Sequence, residues 1–232
     1  MARTSTPHAR PLALDEMLAQ LRAQARPEAL AGMAAFGMAT QARLGWSVPA
    51  LRQLGRQIGR QHELAIALAA SGIPDAQILA SLVVEPARLT VAEMDTWVAA
   101  LAAWDTCDQA CINAFSRSPL AWGRVPVWAA RTAEFERRAG FALIAALAVH
   151  DKAAIDERFI ALLPLIEEHA GDERNFVKKA VSWALRQIGK RNAVLRLHAL
   201  ACAERLRAQP ARSARSARWI GGDAWRELSA TE

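Results

Sequence analysis

The sequence predicts an all-α fold, and three observations indicate it. Alanine and leucine dominate a chain that is 53% hydrophobic, tyrosine is absent and β-branched residues are sparse, a mixture that favours helix. Apolar residues recur with helical periodicity along nearly the whole chain, whereas no segment shows the alternation that is typical of a strand. Glycine and proline interrupt this pattern at short intervals, which predicts short helices joined by short connections.

Proline, glycine and capping residues mark the helix boundaries in the first half of the chain. We expect the polar residues 1–10 to be flexible, and an apolar stripe from Leu14 to Leu21 predicts the first helix. Proline suits the first turn of a helix, glycine follows a helix end, and a threonine three residues before a glutamate forms a capping box. In chain order these signals are Pro27, Pro49, Gly72, Pro74, and Thr90 with Glu93.

The second half is predicted to contain longer helices. Asp105 is the residue expected to cap the first of them, and Pro119 and Pro126 are expected to flank a connection and a short helix. The tail, residues 209–232, is rich in arginine and contains Trp219 and Trp225, and we expect it to cap the fold. The predicted helices cover residues 105–116, 133–149, 152–169, 173–189 and 192–208.

One internal similarity predicts a helical repeat. The segment F-E-R-R-A-G-F-A-L-I from Phe135 matches F-V-K-K-A-V-S-W-A-L from Phe176, 41 residues later. Helix-pair repeats of the armadillo and HEAT kind have periods close to this. We therefore predict a single domain over residues 1–232, a right-handed α-α superhelix of HEAT-like repeats that forms a curved solenoid with a concave basic face. Its basic edge would carry Arg137, Arg138, Lys178 and Lys179.

The charge of the chain favours a polyanionic partner. The formal net charge is +6 and the isoelectric point is about 10, with arginine supplying most of the positive charge. Arginine binds phosphate in a planar, bidentate way, so nucleic acid is the first candidate partner and a membrane surface the second. Arg52, Arg56 and Arg60 recur every four residues on one helix side and are candidate DNA contacts. The alternative for each cation is an ordinary solvent-facing charge.

The segment W-D-T-C-D places an aromatic ring and a carboxylate on one helix face. Trp104 lies one helical turn before Asp108, so the two side chains are expected to be neighbours. A π surface beside a carboxylate suits a cationic, planar ligand. For Trp183, taken alone, packing in the core is the competing interpretation.

The remaining polar residues predict no cofactor and no metal site. The histidines are scattered, and none is spaced with cysteine as in a zinc site. Cys107 and Cys111 are four residues apart on one predicted helix, which is poor geometry for a disulfide. With Cys202 the cysteine count is odd, and no signal peptide or membrane-spanning run is evident. We therefore expect a monomer in a reducing cytoplasm, not in a membrane.

Several segments together resemble a known family. They are L-G-W-S-V-P-A-L-R (44–52), W-D-T-C-D (104–108), F-E-R-R-A (135–139) and N-F-V-K-K-A-V-S-W-A-L-R (175–186). Over roughly residues 30 to 208 the chain resembles the bacterial DNA alkylation repair proteins of the AlkD-like type, which are HEAT-like-repeat DNA glycosylases.

The resemblance implies hydrolysis of the N-glycosidic bond of N3- or N7-alkylated purines in double-stranded DNA. By this similarity Trp104 and Trp183 correspond to the aromatic walls of the lesion cleft, and Asp108 corresponds to the catalytic carboxylate. Arg138 corresponds to the arginine that binds the DNA backbone near the lesion. Because the basic position is doubled in this chain, Arg137 is the alternative for that role.

Two other functions are compatible with the same fold. One is a non-catalytic HEAT-like scaffold that binds DNA, and the other is a protein-interaction solenoid whose basic charge is incidental. The cysteine at position 107, directly before Asp108, is similar to the form of the motif in relatives with little or no glycosylase activity. Only the chemistry of the site separates these functions, because fold alone does not specify one.

Overall fold

The computed structural model describes residues 13–210 and 214–230, and these residues form helices without any strand. The expectation of flexibility for residues 1–10 lies outside the described residues. The contacts divide the chain into two compact units, one up to Glu85 and one from Pro86 onward. The prediction of a single domain over residues 1–232 stays a prediction.

The first unit contains five α-helices and one 3₁₀ turn among its described residues, at Pro27–Ala29. A serine cap at Ser47 and Pro49 in the first turn start one of these helices, as expected. The left-handed φ of +71° at Gly72 separates the fourth helix from the fifth. The helices are α1 Leu14–Ala23, α2 Leu30–Ala35, α3 Val48–Ile58, α4 His62–Ala69 and α5 Pro74–Val83.

The second unit contains the longer helices. The predicted capping box is confirmed, because Thr90 accepts from the backbone N–H of Glu93 and the Glu93 carboxylate accepts from that of Thr90. Short 3₁₀ turns lie at Pro86–Arg88 and Phe115–Arg117. The helices are α6 Val91–Ala99, α7 Trp104–Asn113, α8 Ala121–Ala129, α9 Glu134–His150, α10 Asp156–Ile160, α11 Leu163–His169, α12 Asn175–Lys190, α13 Ala193–Arg207 and α14 Arg215–Ser229.

Three predictions of helix boundaries are wrong. Asp105 does not cap α7, because the helix begins one residue earlier at Trp104, and Asp105 is buried within the first turn. Pro126 lies inside α8 instead of flanking it. The helix predicted over residues 152–169 is two helices, α10 and α11, and the second starts with Pro164 in its first turn. A proline there ends the preceding helix because it lacks the N–H that would continue it.

The predicted repeat corresponds to stacked helices. Phe135 at the start of α9 and Phe176 at the start of α12 place their ring centroids 5.5 Å apart. Helices α9 and α12 pack along their length, and α14 packs in turn against α12 and α13. The tail therefore contributes a helix with a buried face, including Ile220, Ala224 and Leu228, while its role as a cap of the fold stays a prediction.

Two glycines allow the helices of this unit to approach closely. A Cβ atom at Gly140 of α9 would lie 2.5 Å from the backbone nitrogen of Ala129, and one at Gly221 of α14 would lie 2.5 Å from the carbonyl oxygen of Ala203. Neither neighbour can move aside, because both are backbone atoms. Within the described residues, no helix combines the length and the apolar composition needed to cross a membrane.

Candidate functional site

A bidentate ion pair joins α7 to α9. Arg138 Nε donates to Asp108 Oδ1 at 3.0 Å, and Arg138 Nη2 donates to Asp108 Oδ2 at 2.8 Å. The third contact, from Arg138 Nη1 to the carbonyl oxygen of Phe176 at 2.6 Å, reaches the first turn of α12. One guanidinium therefore fixes the position of the Asp108 carboxylate relative to three helices.

Because the pair is buried, each charge loses its hydration and needs its partner more than a charge in a surface ion pair does. The side chain of Arg138 is 6% exposed and that of Asp108 is 14% exposed. Burial raises the pKa of Asp108 above its ordinary value, against the lowering effect of the Arg138 charge and hydrogen bonds. Burial also opposes the charged form of Arg138, but the Asp108 carboxylate outweighs it and raises the pKa of the guanidinium. Arg138 thus depends on Asp108 for compensation of its charge.

The two cysteines near Asp108 take part in the packing of α7 against α9. Both are fully buried, with Cys107 Sγ 3.7 Å from the carbonyl oxygen of Phe135 and Cys111 Sγ 3.5 Å from that of Ala139. Burial raises the pKa of the Cys111 thiol well above its ordinary range, which keeps it protonated. The thiols therefore serve as weak donors that hold α7 against α9.

The two indoles expected at the cleft are both partly exposed. Trp104 is the first residue of α7, one turn before Asp108, and Trp183 lies in the second half of α12. Both are intermediate in exposure, whereas Trp128 is fully buried in the core. Trp183 shares one face of α12 with Phe176 and Lys179, because these residues are spaced by three and four positions. Trp183 is therefore not fully buried, and its place at the cleft stays a prediction.

The adjacent arginines of α9 occupy different places. Arg137 Nε donates to the carbonyl oxygens of Ala129 at 3.1 Å and Arg131 at 2.9 Å, at the end of α8. Its Nη1 donates to Asp172 Oδ2 at 2.8 Å. Only Arg138 of the two reaches Asp108. Which of them binds the DNA backbone stays a prediction; Arg138 is the one beside the predicted catalytic carboxylate, although its side chain is only 6% exposed.

Asp172 is a buried carboxylate that the sequence analysis missed. It accepts from Arg137 and from the side chain and backbone N–H of Arg174. Burial acts to raise its pKa, but these hydrogen bonds prevail and lower it from 3.8 to about 2. Arg174 also donates to the carbonyl oxygen of Thr132 at 2.6 Å. The cluster therefore ties the start of α12 to the connection before α9.

The predicted basic edge is only partly confirmed, because its lysines lie at the start of α12 whereas its two arginines on α9 are largely buried in ion pairs. Lys179 is exposed, and Lys178 is half-buried with its Nζ 5.0 Å from the ring centroid of Trp219 on α14. Within the described part of the chain neither lysine forms an ion pair, so both remain candidates for contact with phosphate.

The three arginines with the spacing of four belong to the first unit, where Arg52 and Arg56 lie on α3 and Arg60 follows its end at Ile58. They line an open pocket of about 300 Å³ in which Gly55, Gly59 and Leu82 are the other lining residues. Arg60 Nη1 donates to the carbonyl oxygens of Leu82 at 3.2 Å and Val84 at 2.6 Å, which fixes its direction. The prediction of one helix side is therefore wrong for Arg60, because Gly59, with a left-handed φ of +75°, ends α3 before it. All three arginines still line the same pocket, and their contact with DNA stays a prediction.

Comparisons with known proteins agree with the resemblance. A solved structure described as "A new family of proteins related to the HEAT-like repeat DNA glycosylases with affinity for branched DNA structures" is similar to this chain with a TM-score of 0.73. It is 19% identical, the match covers 83% of each chain, and at this identity it shows the α-helical solenoid fold alone. No match was found among curated proteins. The family model described as "DNA alkylation repair enzyme" matches residues 17–224, and the chain therefore belongs to the DNA alkylation repair enzyme family.

Proposed function

We propose that this protein is a monofunctional DNA glycosylase, which hydrolyses the N-glycosidic bond of N3- and N7-alkylated purines in double-stranded DNA. The observation that carries the proposal is the Asp108 carboxylate, held in a fixed direction by Arg138 and placed one turn after a partly exposed indole. All the residues invoked lie in one chain, so a monomer suffices.

The proposed substrate suits a site with a single carboxylate. Alkylation at N3 or N7 puts a positive charge on the purine, which makes the base a good leaving group without a general acid. As the bond breaks, positive charge develops at the sugar, as it does in glycoside hydrolysis. A fixed carboxylate stabilises that charge and accepts a hydrogen bond from the attacking water.

Asp108 retains the capacity for this role while it is paired. An ionised carboxylate has about four lone-pair positions, and Arg138 uses one on each oxygen. The exposed 14% of the side chain is where the remaining positions can meet water or a sugar. Trp104 and Trp183 would flank the cationic nucleotide, with about 0.5–2 kcal/mol from each cation–π contact.

Release of free base is the test of this proposal. The protein is incubated with duplex DNA methylated by an alkylating agent, and the soluble products are separated by chromatography. We expect 7-methylguanine and 3-methyladenine above the background of an incubation without protein, and unmodified purines at background. Background release of both methylated bases would refute the catalytic proposal.

A second candidate function is binding of branched DNA without catalysis. Both oxygens of Asp108 are engaged by Arg138, a satisfied arrangement that a purely structural role would also produce. The similar solved structure is described as having affinity for branched DNA structures. Titration of a four-way junction and a linear duplex of equal length at the same salt concentration distinguishes the candidates. Tighter binding of the junction, together with no base release, supports the second.

A further inference from the structure

The solvent-facing side of α14 has an unusual composition. Its exposed residues are arginine, tryptophan and serine only: Arg215, Arg218, Trp219, Trp225, Arg226 and Ser229. Trp219 is 42% exposed and Trp225 is 37% exposed, and no other large hydrophobic residue of this helix is exposed. This set of residues, which we call the α14 outer face, carries positive charge and aromatic rings without an exposed acid.

The two acidic residues of α14 are turned towards α12. Asp223 Oδ2 accepts from Ser182 Oγ at 2.7 Å, and Glu227 pairs with Arg186 and Lys190. Asp223 also lies 3.8 Å from Arg226, a marginal contact for a side chain that is 78% exposed. Because these carboxylates are engaged beside α12, the α14 outer face keeps its positive charge.

The α14 outer face continues the repeat beyond its second copy. The contacts of Ser182 with Asp223 and of Arg186 with Glu227 each join residues 41 apart, the offset that also relates Phe135 to Phe176. At this offset Trp219 occupies the register position of Lys178, and its ring lies 5.0 Å from the Lys178 ammonium. The start of α12, where Lys178 lies, therefore adjoins an aromatic surface on α14.

Trp225, the second exposed indole of α14, also lies beside cations. The guanidinium carbon of Arg207 on α13 lies 4.5 Å from the ring centroid of Trp225. Next to it, a pocket of about 380 Å³ is lined by Arg207, Arg218, Glu204 and Ala208. Two arginines with one carboxylate leave this pocket with net positive charge.

We propose that the α14 outer face binds single-stranded DNA, with an unpaired base stacked on Trp219 and the backbone phosphates on Arg215 and Arg218. Every base has a π face, so stacking on an exposed indole beside cations binds unpaired strands with little sequence preference. A lipid surface fits less well, because insertion needs a continuous apolar face. Trp219 and Trp225 are six positions apart, about 120° around the helix, with arginines in the sector between them.

The binding of a short fluorescein-labelled oligothymidylate, followed by fluorescence anisotropy, tests the proposal. Oligothymidylate contains no purine lesion, so it probes this surface independently of the proposed glycosidic cleavage. We expect Trp219→Ala to weaken binding about tenfold and Trp219→Phe, which retains a ring, to restore most of the loss. Phe36→Ala is the matched control, because Phe36 is an aromatic residue that is 76% exposed in the other unit.

The charges provide a second readout. Arg218→Gln should reduce the slope of log K against log salt concentration by about 0.7, the value for one phosphate contact on a single strand. Circular dichroism of each variant checks that the helices remain folded. An unchanged affinity in Trp219→Ala, or an equal loss in Phe36→Ala, would overturn the proposal.

Binding to vesicles of anionic phospholipid tests the alternative that the α14 outer face contacts lipid. If Trp219→Ala lowered vesicle binding and left oligothymidylate binding unchanged, the face would be a lipid contact and the proposal wrong. The two proposals fail separately: absence of base release refutes the glycosylase, whereas only the oligothymidylate titration decides the role of α14.

Discussion

Replacing Asp108 by asparagine should destabilise the protein as well as affect its chemistry. The amide keeps one acceptor for Arg138 but turns an N–H group towards the second guanidinium nitrogen, and it removes the compensating charge. Arg138 is 6% exposed and would retain two acceptors, the amide oxygen and the Phe176 carbonyl, neither of which carries a charge. Breaking a buried pair by removal of one partner costs about 3–5 kcal/mol. The 14% exposure of Asp108 places the expected loss near the lower end, about 3 kcal/mol.

Urea unfolding followed by circular dichroism measures this loss in a double-mutant cycle. Arg138→Met removes the buried charge, so Asp108→Asn should cost much less in that background, with a coupling energy of about 2 kcal/mol or more. Glu168→Gln, at a carboxylate whose side chain is 70% exposed, is the matched control and should change stability by less than about 0.5 kcal/mol. If each single substitution lowered the free energy of unfolding by less than about 1 kcal/mol and the two losses were additive, the reasoning would be refuted.

Three further predictions concern packing and charge. Asp172→Asn should remove the stability that the folded protein gains because the pKa of Asp172 is lowered from 3.8 to about 2. After allowance for solvent screening, this contribution to the free energy of unfolding is about 1–2 kcal/mol. Because the folded pKa is the lower one, this stability is present above pH 4 and is lost as the pH falls towards 2, so wild type and variant should converge in acid unfolding. Gly140→Ala should lower the free energy of unfolding by about 1–3 kcal/mol or more in urea titrations, because its Cβ would lie 2.5 Å from the backbone of Ala129; an unchanged midpoint would contradict the close approach. Lys179→Gln should reduce the salt slope of duplex binding by about 0.9, and an unchanged slope would exclude a phosphate contact.

The fold was largely predictable because its signals are local. Helical periodicity, the Thr90 capping box and the prolines depend on neighbouring residues, and the structure confirms them at Pro49 and Thr90. The errors also have local causes. A proline usually breaks a helix, so the sequence predicts Pro126 outside α8, but the helix continues through it to Ala129.

The geometry of the site was only partly predictable. The spacing of Trp104 and Asp108 indicated one helix face, which α7 has. Whether Arg137 or Arg138 reaches Asp108 depends on the rotation of α9 relative to α7 and α8, a long-range property that no short segment specifies. Asp172 was missed because its partners lie 35 residues before it, at Arg137, and two residues after it, at Arg174, which is no recognisable motif.

The third copy of the repeat was missed for a different reason. At an offset of 41 residues, the phenylalanine of the first two copies becomes Ala217, and the first basic residue becomes Trp219. The residue types therefore no longer match, although the helix packs in the same register.

The rate of 7-methylguanine release by Asp108→Asn tests the central claim most directly. It is measured under single-turnover conditions, with the protein in excess over methylated duplex and at a temperature where circular dichroism shows the variant folded. If the carboxylate stabilises the developing charge at the sugar, release should fall by about 100-fold or more while duplex binding is retained. A folded, DNA-bound Asp108→Asn protein that releases the base at the wild-type rate would contradict the account.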